Sequence, residues 1–339
     1  MKTLKVPLKE AETTKKLLGK KGFIDFDYQI YKTSTHIFFP LNKKFKKTKK
    51  LGFSISNKVL SKKNQLITLK DLLKRKLTKN QFEKLKTSYD IVGDIAILEI
   101  DKWLEKRAKI IADSLLKSNK MIKTVLKKEG AHEGVLRTQK MKFLAGKKTK
   151  ETIYKENNIK LKLNVEKVYF SPRLSNERKR IYKIVKPRES VLVMFSGCAP
   201  YPCVISKNSC AKEIYGIEIN PAGHKYGLEN VKLNKLDNVT LFLGDVKAVV
   251  PKLKKKFDRI LMPLPKTAED FLDTALSVTK KGSIVHFYNF CREDEFNKFK
   301  QIIKKACVRN KKKCRILRVV KCGQHKPYTY RICIDFKII

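Results

Sequence analysis

The chain has 339 residues, with 79 Lys and Arg against 32 Asp and Glu, giving a formal net charge of +47. That excess excludes an ordinary acidic metabolic enzyme, and a 42% hydrophobic content excludes a disordered basic tail. The length calls for two or three domains, and because both halves are basic, a polyanion such as nucleic acid is the expected partner.

No segment predicts a membrane span. The most apolar stretch, residues 191–205, is interrupted by Ser196, Gly197, Pro200 and Pro202. The start, Met1-Lys2-Thr3-Leu4-Lys5, lacks the apolar run of a signal peptide. All eight cysteines lie at or after Cys198 with no C-x-x-C pair, and the five histidines are scattered. A reducing, cytoplasmic setting is therefore expected, with no metal site.

Three regions follow in chain order. Residues 1–50 read as a small α/β module: a short strand near Leu4, a helix over 10–18, strands at 28–31 and 36–39, then a basic linker over 43–50. Residues 64–165 read as a middle α+β domain. It has helices at 69–77 and 81–85, one alternating strand over 91–100, an amphipathic helix over 102–116, a short element at 120–127 and a hairpin made by 152–154 and 159–165.

Residues 166–339 alternate apolar strands with helices. Strands are expected at 191–195, 214–219, 239–243, 259–262 and 283–288, and two final strands, 315–321 and 330–336, have no helix between them. Such a pattern predicts a mostly parallel sheet covered on both faces, with an antiparallel edge.

Ligands of such sheets bind at the carboxyl ends of the strands. The first strand leads into Phe195-Ser196-Gly197-Cys198-Ala199-Pro200, a small-residue loop that is not G-x-G-x-x-G. The second and third strands end at Glu218, which suits ribose hydroxyls, and Asp245, which suits an adenine amino group. The fourth leads into Met262-Pro263-Leu264-Pro265. One small-residue loop and two acids without a phosphate cradle suit S-adenosylmethionine. Helix capping is the plainer reading of Glu218 and Asp245.

The string Val168-Tyr169-Phe170-Ser171-Pro172-Arg173-Leu174-Ser175-Asn176-Glu177-Arg178 resembles the V-Y-F-S-P-R-L-x-x-E-R motif of the archaeal and eukaryotic tRNA guanine-37 N1-methyltransferases. Arg137 with Leu144-Ala145-Gly146, Ile217-Glu218-Ile219-Asn220-Pro221, Gly244-Asp245-Val246 and Asp335-Phe336-Lys337-Ile338 match that family in order. The resemblance implies a Rossmann-like class I methyltransferase domain using S-adenosylmethionine, preceded by two smaller tRNA-binding domains that hold the tRNA body and anticodon loop. A monomer is expected. The reaction implied is methyl transfer to N1 of guanosine 37.

Carried over by residue, Glu177 is the general base, Arg137 stabilises guanine O6 and Tyr169 stacks near the flipped base. Arg178, Phe195, Gly197, Glu218, Ile219, Asp245, Val246 and Pro263 line the cofactor. Guanine N1 is protonated at neutral pH, so a carboxylate to remove the proton and a cation to hold the charge on O6 are the groups this chemistry needs.

The chain departs from the family at three places: Val193 replaces an acid, Ala199 a glycine and Pro263 an amide side chain. Two other readings follow. One is an aminocarboxypropyl transferase of wybutosine synthesis, against which Arg173 of S-P-R-L speaks; the other is a non-catalytic tRNA-binding protein.

Overall fold

The computed structural model describes residues 1–45, 52–62 and 67–339. It divides into two compact units, Met1–Thr68 and Leu69–Ile339. Most of the basic linker (residues 46–50) and the start of the expected middle domain (64–66) lie outside the described residues.

In the first unit, β1 (Lys2–Pro7), β2 (Tyr31–Lys32), β3 (His36–Pro40) and β4 (Ser54–Asn57) form an antiparallel sheet in the order β2-β3-β1-β4. Helix α1 (Ala11–Lys20) supplies Leu18 to a core with Leu4, Val6, Ile24, Phe39 and Leu41. The first unit runs past residue 50, the expected end of the N-terminal module, to Thr68, because β4 pairs with β1 from Lys2↔Asn57 to Lys5↔Ser54.

The second unit opens with α2 (Leu69–Leu73), α3 (Lys79–Glu83), β5 (Tyr89–Val92), β6 (Ile95–Leu98), α4 (Ala108–Ser118), β7 (Thr124–Glu133) and β8 (Thr138–Gly146). The single strand expected over 91–100 is instead a hairpin, since Gly93 turns the chain at φ +59° between β5 and β6. Residue pairs such as Gly-Asp between apolar runs are a hairpin signal that the alternation masked. Strand β7 runs parallel to β6, with α4 as the crossover, and β8 returns antiparallel. At the end of β8, Gly146 adopts φ +89°, and a Cβ there would stand 2.1 Å from the Lys123 carbonyl oxygen, which accounts for the glycine of Leu144-Ala145-Gly146.

A hairpin of β9 (Glu151–Glu156) and β10 (Ile159–Asn164) leads into α5 (Ser175–Ile184) and then the central sheet. Its strands are β11 (Ser190–Met194), β12 (Glu213–Glu218), β13 (Val239–Leu243), β14 (Phe257–Met262), β15 (Thr279–Cys291), β16 (Cys314–Lys326) and β17 (Thr329–Ile338). They are ordered β13-β12-β11-β14-β15-β17-β16; the first five are parallel and β17 is antiparallel to both neighbours. The intervening helices are α6 (Pro200–Asn208), α7 (Pro221–Leu233), α8 (Val246–Val249), α9 (Leu272–Ser277) and α10 (Phe296–Arg309).

The expected middle domain (64–165) and methyltransferase domain (166–339) fall, from Leu69 onward, within one compact unit. A single apolar cluster explains this: Val92, Ile95, Ile97 and Leu126 pack with Leu161 and Leu163 of β10 and with Cys203 and Val204 of α6. Polar contacts reinforce it. Asn230 on α7 and Asn234 just past its end accept from Lys162 N at 2.7 Å and Lys160 N at 2.8 Å and donate back to the same residues' carbonyls. Each amide side chain thus closes the open edge of β10 as another strand would.

Candidate active site

A narrow cavity of about 120 Å³ opens at the carboxyl ends of the parallel strands. Phe195, Ser196 and Gly197 come from the loop after β11; Glu218, Ile219 and Asn220 from the end of β12; Pro263 and Leu264 from the turn after β14. The tight loop requires left-handed backbone at Phe195 (φ +60°), Gly197 (φ +58°) and Ala199 (φ +62°). The opposite wall comes from the Val168–Ser171 segment and from the turn between β7 and β8, which carries Val135, Leu136 and Arg137. Val135 is 80% exposed, and Arg137 sits in the turn at φ +52°.

Glu218 ties two of these loops together. Its Oε2 accepts from Gly197 N at 2.6 Å and its Oε1 from Asn220 N at 2.8 Å. Burial raises its pKa above the ordinary carboxylate value, against the pull of these backbone amides. Asn220, not Glu218, caps the helix that follows, accepting from Ala222 N at 3.0 Å ahead of Pro221.

Arg137, Tyr169, Arg178, Phe195, Gly197, Glu218, Ile219 and Pro263 all line the cavity. Asp245 and Val246 do not. Asp245 caps α8 by accepting from Lys247 N at 2.7 Å, and Val246 is buried in the core with Met194 and Ile217. Arg178 is committed to other partners. It is 1% exposed, and its guanidinium is held by both Glu156 oxygens and by the Ser171 carbonyl, so its charge is spent bracing β9 against α5.

Glu177 is 5% exposed and lies behind the wall. Arg180 donates to it from Nε and Nη2 at 2.7 and 2.6 Å, and Tyr288 Oη donates at 2.6 Å. Tyr201, which lines the cavity, donates in turn to Tyr288 Oη at 3.3 Å. Burial pushes both phenols well above their usual pKa, so they stay protonated. Tyr201, Tyr288 and Arg180 carried no motif signal; only the three-residue spacing of Glu177 and Arg180 on a helix pointed to that pair.

Behind Glu177 the polar network continues. Arg180 also donates to Asp335 at 2.7 Å, as does Arg318, and His286 Nδ1 lies 2.6 Å from Asp335 Oδ1. Arg259 Nη1 donates to His286 Nε2 at 2.7 Å, which leaves Nδ1 as the protonated nitrogen. Burial opposes the Asp335 charge, but His286 and Arg180 hold its carboxyl well below the usual range. His286, Cys333 and Asp335 lie close enough to share an ion. The guanidinium groups of Arg180, Arg259 and Arg318 already occupy that neighbourhood and oppose a cation there.

The donor set fits S-adenosylmethionine. A carboxylate at the end of β12 matches a ribose diol, Phe195, Ile219 and Pro263 offer apolar surface to a purine, and the cavity has no glycine-rich phosphate cradle. Of the departures, Val193 is buried in the core with Tyr201, Leu261 and Tyr288, while Pro263 stays at the cavity.

Family models match in three consecutive stretches: the tRNA methyltransferase 5 N-terminal domain over residues 3–49, the TYW2 N-terminal domain over 69–149 and the TRM5/TYW2 methyltransferase domain over 152–317. The tRNA (guanine(37)-N(1))-methyltransferase Trm5b of Pyrococcus abyssi is 35% identical over 99% of this chain and 98% of its own. The crystal structure of that organism's wild-type Trm5b superposes with a TM-score of 0.77 at 34% identity, covering 100% of this chain and 99% of the other. A complex of aTrm5 and tRNALeu superposes at 0.72 with 31% identity, covering 99% of both chains. With similarity running through both N-terminal segments and the catalytic sheet, the chain belongs to the TRM5/TYW2 family of S-adenosylmethionine-dependent methyltransferases.

Proposed function

We propose that the protein methylates N1 of guanosine 37 in tRNA, acting on the cytoplasmic tRNA pool. Bound S-adenosylmethionine supplies an electrophilic methyl group on a sulfonium. Glu218 would receive its ribose hydroxyls, and Phe195, Ile219 and Pro263 would flank its adenine.

Arg137 faces guanine O6, where negative charge develops as N1 loses its proton. The proton passes along the Tyr201 and Tyr288 hydroxyls to Glu177, and the freed N1 lone pair would take the sulfonium methyl group, the electrons of the broken S–CH3 bond returning to sulfur, which leaves as a neutral thioether. Tyr169 stacks against the extruded base. One observation carries the reading: Arg137 and Tyr169, from separate segments, line the same cavity as Gly197 and Glu218, and the Tyr201–Tyr288–Glu177 hydrogen bonds begin at its wall.

The test is incubation with unmodified tRNA transcripts and labelled cofactor, followed by nucleoside mass spectrometry. A gain of one methyl on guanosine at position 37, lost when another base stands there, is the expected result. A gain of a four-carbon amino-acid group would assign aminocarboxypropyl transfer instead. No product and no calorimetric binding of S-adenosylmethionine would leave a tRNA-binding protein without catalysis.

A further inference from the structure

Beside the cavity, and sharing Arg137 and Tyr169 with it, lies a wider groove of about 670 Å³. It runs between the β5–β8 sheet and the β15–β17 end of the central sheet, and Lys128, Arg173 and Arg331 also line it. Lys128 and Arg173 are partnered there, both by Asp90, at 3.4 and 2.6 Å.

Arg331 is placed differently. Its Nη2 donates to Tyr169 Oη at 2.9 Å, and its guanidinium lies 5.0 Å over the Phe290 ring. Its Nε is buried and has no hydrogen-bond partner among the described residues. Burial eases the Arg137 guanidinium below the usual arginine range, against an opposing pull from Tyr169, and repulsion from Arg331 adds a smaller push in the same direction as burial. Two guanidiniums held near each other, with a buried donor left over, form an arrangement that costs free energy until an anion enters.

We propose that Arg331 is a phosphate-binding residue of the target groove, holding a backbone phosphate next to the extruded nucleotide. This rests on the reading of the adjoining cavity as the methylation site. Every nucleotide brings a phosphate with its base, and guanidinium groups match phosphate oxygens in a bidentate fork. The Tyr169 and Phe290 contacts fix the plane of the fork in advance, so little side-chain entropy is lost on binding. A residue serving only to hold Tyr169 would need the Nη2 bond and would gain nothing from an unsatisfied Nε.

The test measures binding of an unmodified tRNA transcript to the full chain across a salt series, for wild type, Arg331→Gln and Arg331→Lys, with folding checked by circular dichroism. For Arg331→Gln the expected result is about a tenfold weaker affinity at low salt, and a log–log salt slope shallower by about 0.7–0.9, one counterion's worth. Arg331→Lys, which keeps the charge, should retain the wild-type slope. An unchanged slope in a folded Arg331→Gln protein would overturn the proposal and leave Arg331 as a support for Tyr169. Should Arg331→Gln fail to fold, Arg331→Lys decides: a weaker affinity at the wild-type slope, with the charge kept and the fork lost, would support the proposal, and affinity and slope both equal to wild type would overturn it. Methyl transfer by wild type and Glu177→Gln, assayed in parallel, separates the two questions. Transfer abolished in Glu177→Gln with an unaltered Arg331→Gln slope sinks this inference alone; full transfer in Glu177→Gln sinks the underlying reading.

Discussion

Arg180 grips Glu177 through a fork, Nε to Oε2 and Nη2 to Oε1, and turns its remaining Nη1 to Asp335. The glutamate proposed as base is thus anchored in a fixed place by α5 and β17, with the Tyr288 hydroxyl as its link toward the cavity. Guanidinium forks of this kind fix a carboxylate in orientation as well as charge.

Glu177→Gln should cut single-turnover methyl transfer by about 10²–10⁴-fold, the usual worth of a positioned base, while calorimetry shows unchanged S-adenosylmethionine affinity. Tyr288→Phe, which interrupts the hydroxyl route, should cost about tenfold in the same assay. Wild-type turnover in the glutamine variant would contradict the base assignment. Wild-type turnover in the phenylalanine variant would dismiss the relay.

Asp335 accepts from Arg180, Arg318 and His286 while almost wholly buried. Asp335→Ala strands those donors and should lower the unfolding free energy by about 3–5 kcal/mol, read from denaturant titrations. The folded-state pKa is depressed from an ordinary value of 3.8. The carboxylate's contribution is therefore complete above that ordinary value and is lost as pH falls toward the folded one. The gap between wild type and Asp335→Ala should stay constant from neutral pH to about 4 and narrow only below it. A gap already closing near pH 6 would contradict the assignment.

Cofactor affinity should report on Glu218. Its pKa lies above the ordinary 4.5 because the group is buried, and a ribose diol donates to the carboxylate and not to the acid. S-adenosylmethionine binding measured by calorimetry should weaken as pH drops, beginning above the ordinary carboxylate range. Glu218→Gln keeps an acceptor but cannot titrate, so its weaker binding should be level across the same pH interval.

Ala199 occupies left-handed backbone at φ +62°, where a side chain is strained. Ala199→Gly should raise stability by about 1 kcal/mol, seen as a higher thermal midpoint. An unaltered or lower midpoint would mean that the packing of the Ala199 methyl group in the core outweighs the strain relieved.

Much of the architecture was legible because it depends on local pattern. The β-α alternation after residue 190, the carboxyl-end position of Glu218 and the final strand pair all follow from periodicity and from the rule that ligands meet parallel sheets at one edge. Where the local pattern is ambiguous, it conceals the true element. Alternation across Ile91–Ile100 hid the Gly93 turn, and nothing local marks β8, whose pairing partner β7 precedes it across the turn that carries Arg137.

The amino-acid sequence by itself determined the charge that selects a polyanionic partner, the parallel sheet and the motif residues Arg137, Tyr169 and Glu177. Tertiary structure alone decided which of them share a cavity. It put Asp245 and Val246 outside the wall, committed the Arg178 charge to Glu156, and set Glu177 behind two tyrosines drawn from α6 and β15. The physical reason is sequence distance. Hydrogen-bonded partners such as Tyr288 and Glu177, 111 residues apart, leave no periodic trace, because their meeting is set by the strand order and packing of the whole sheet.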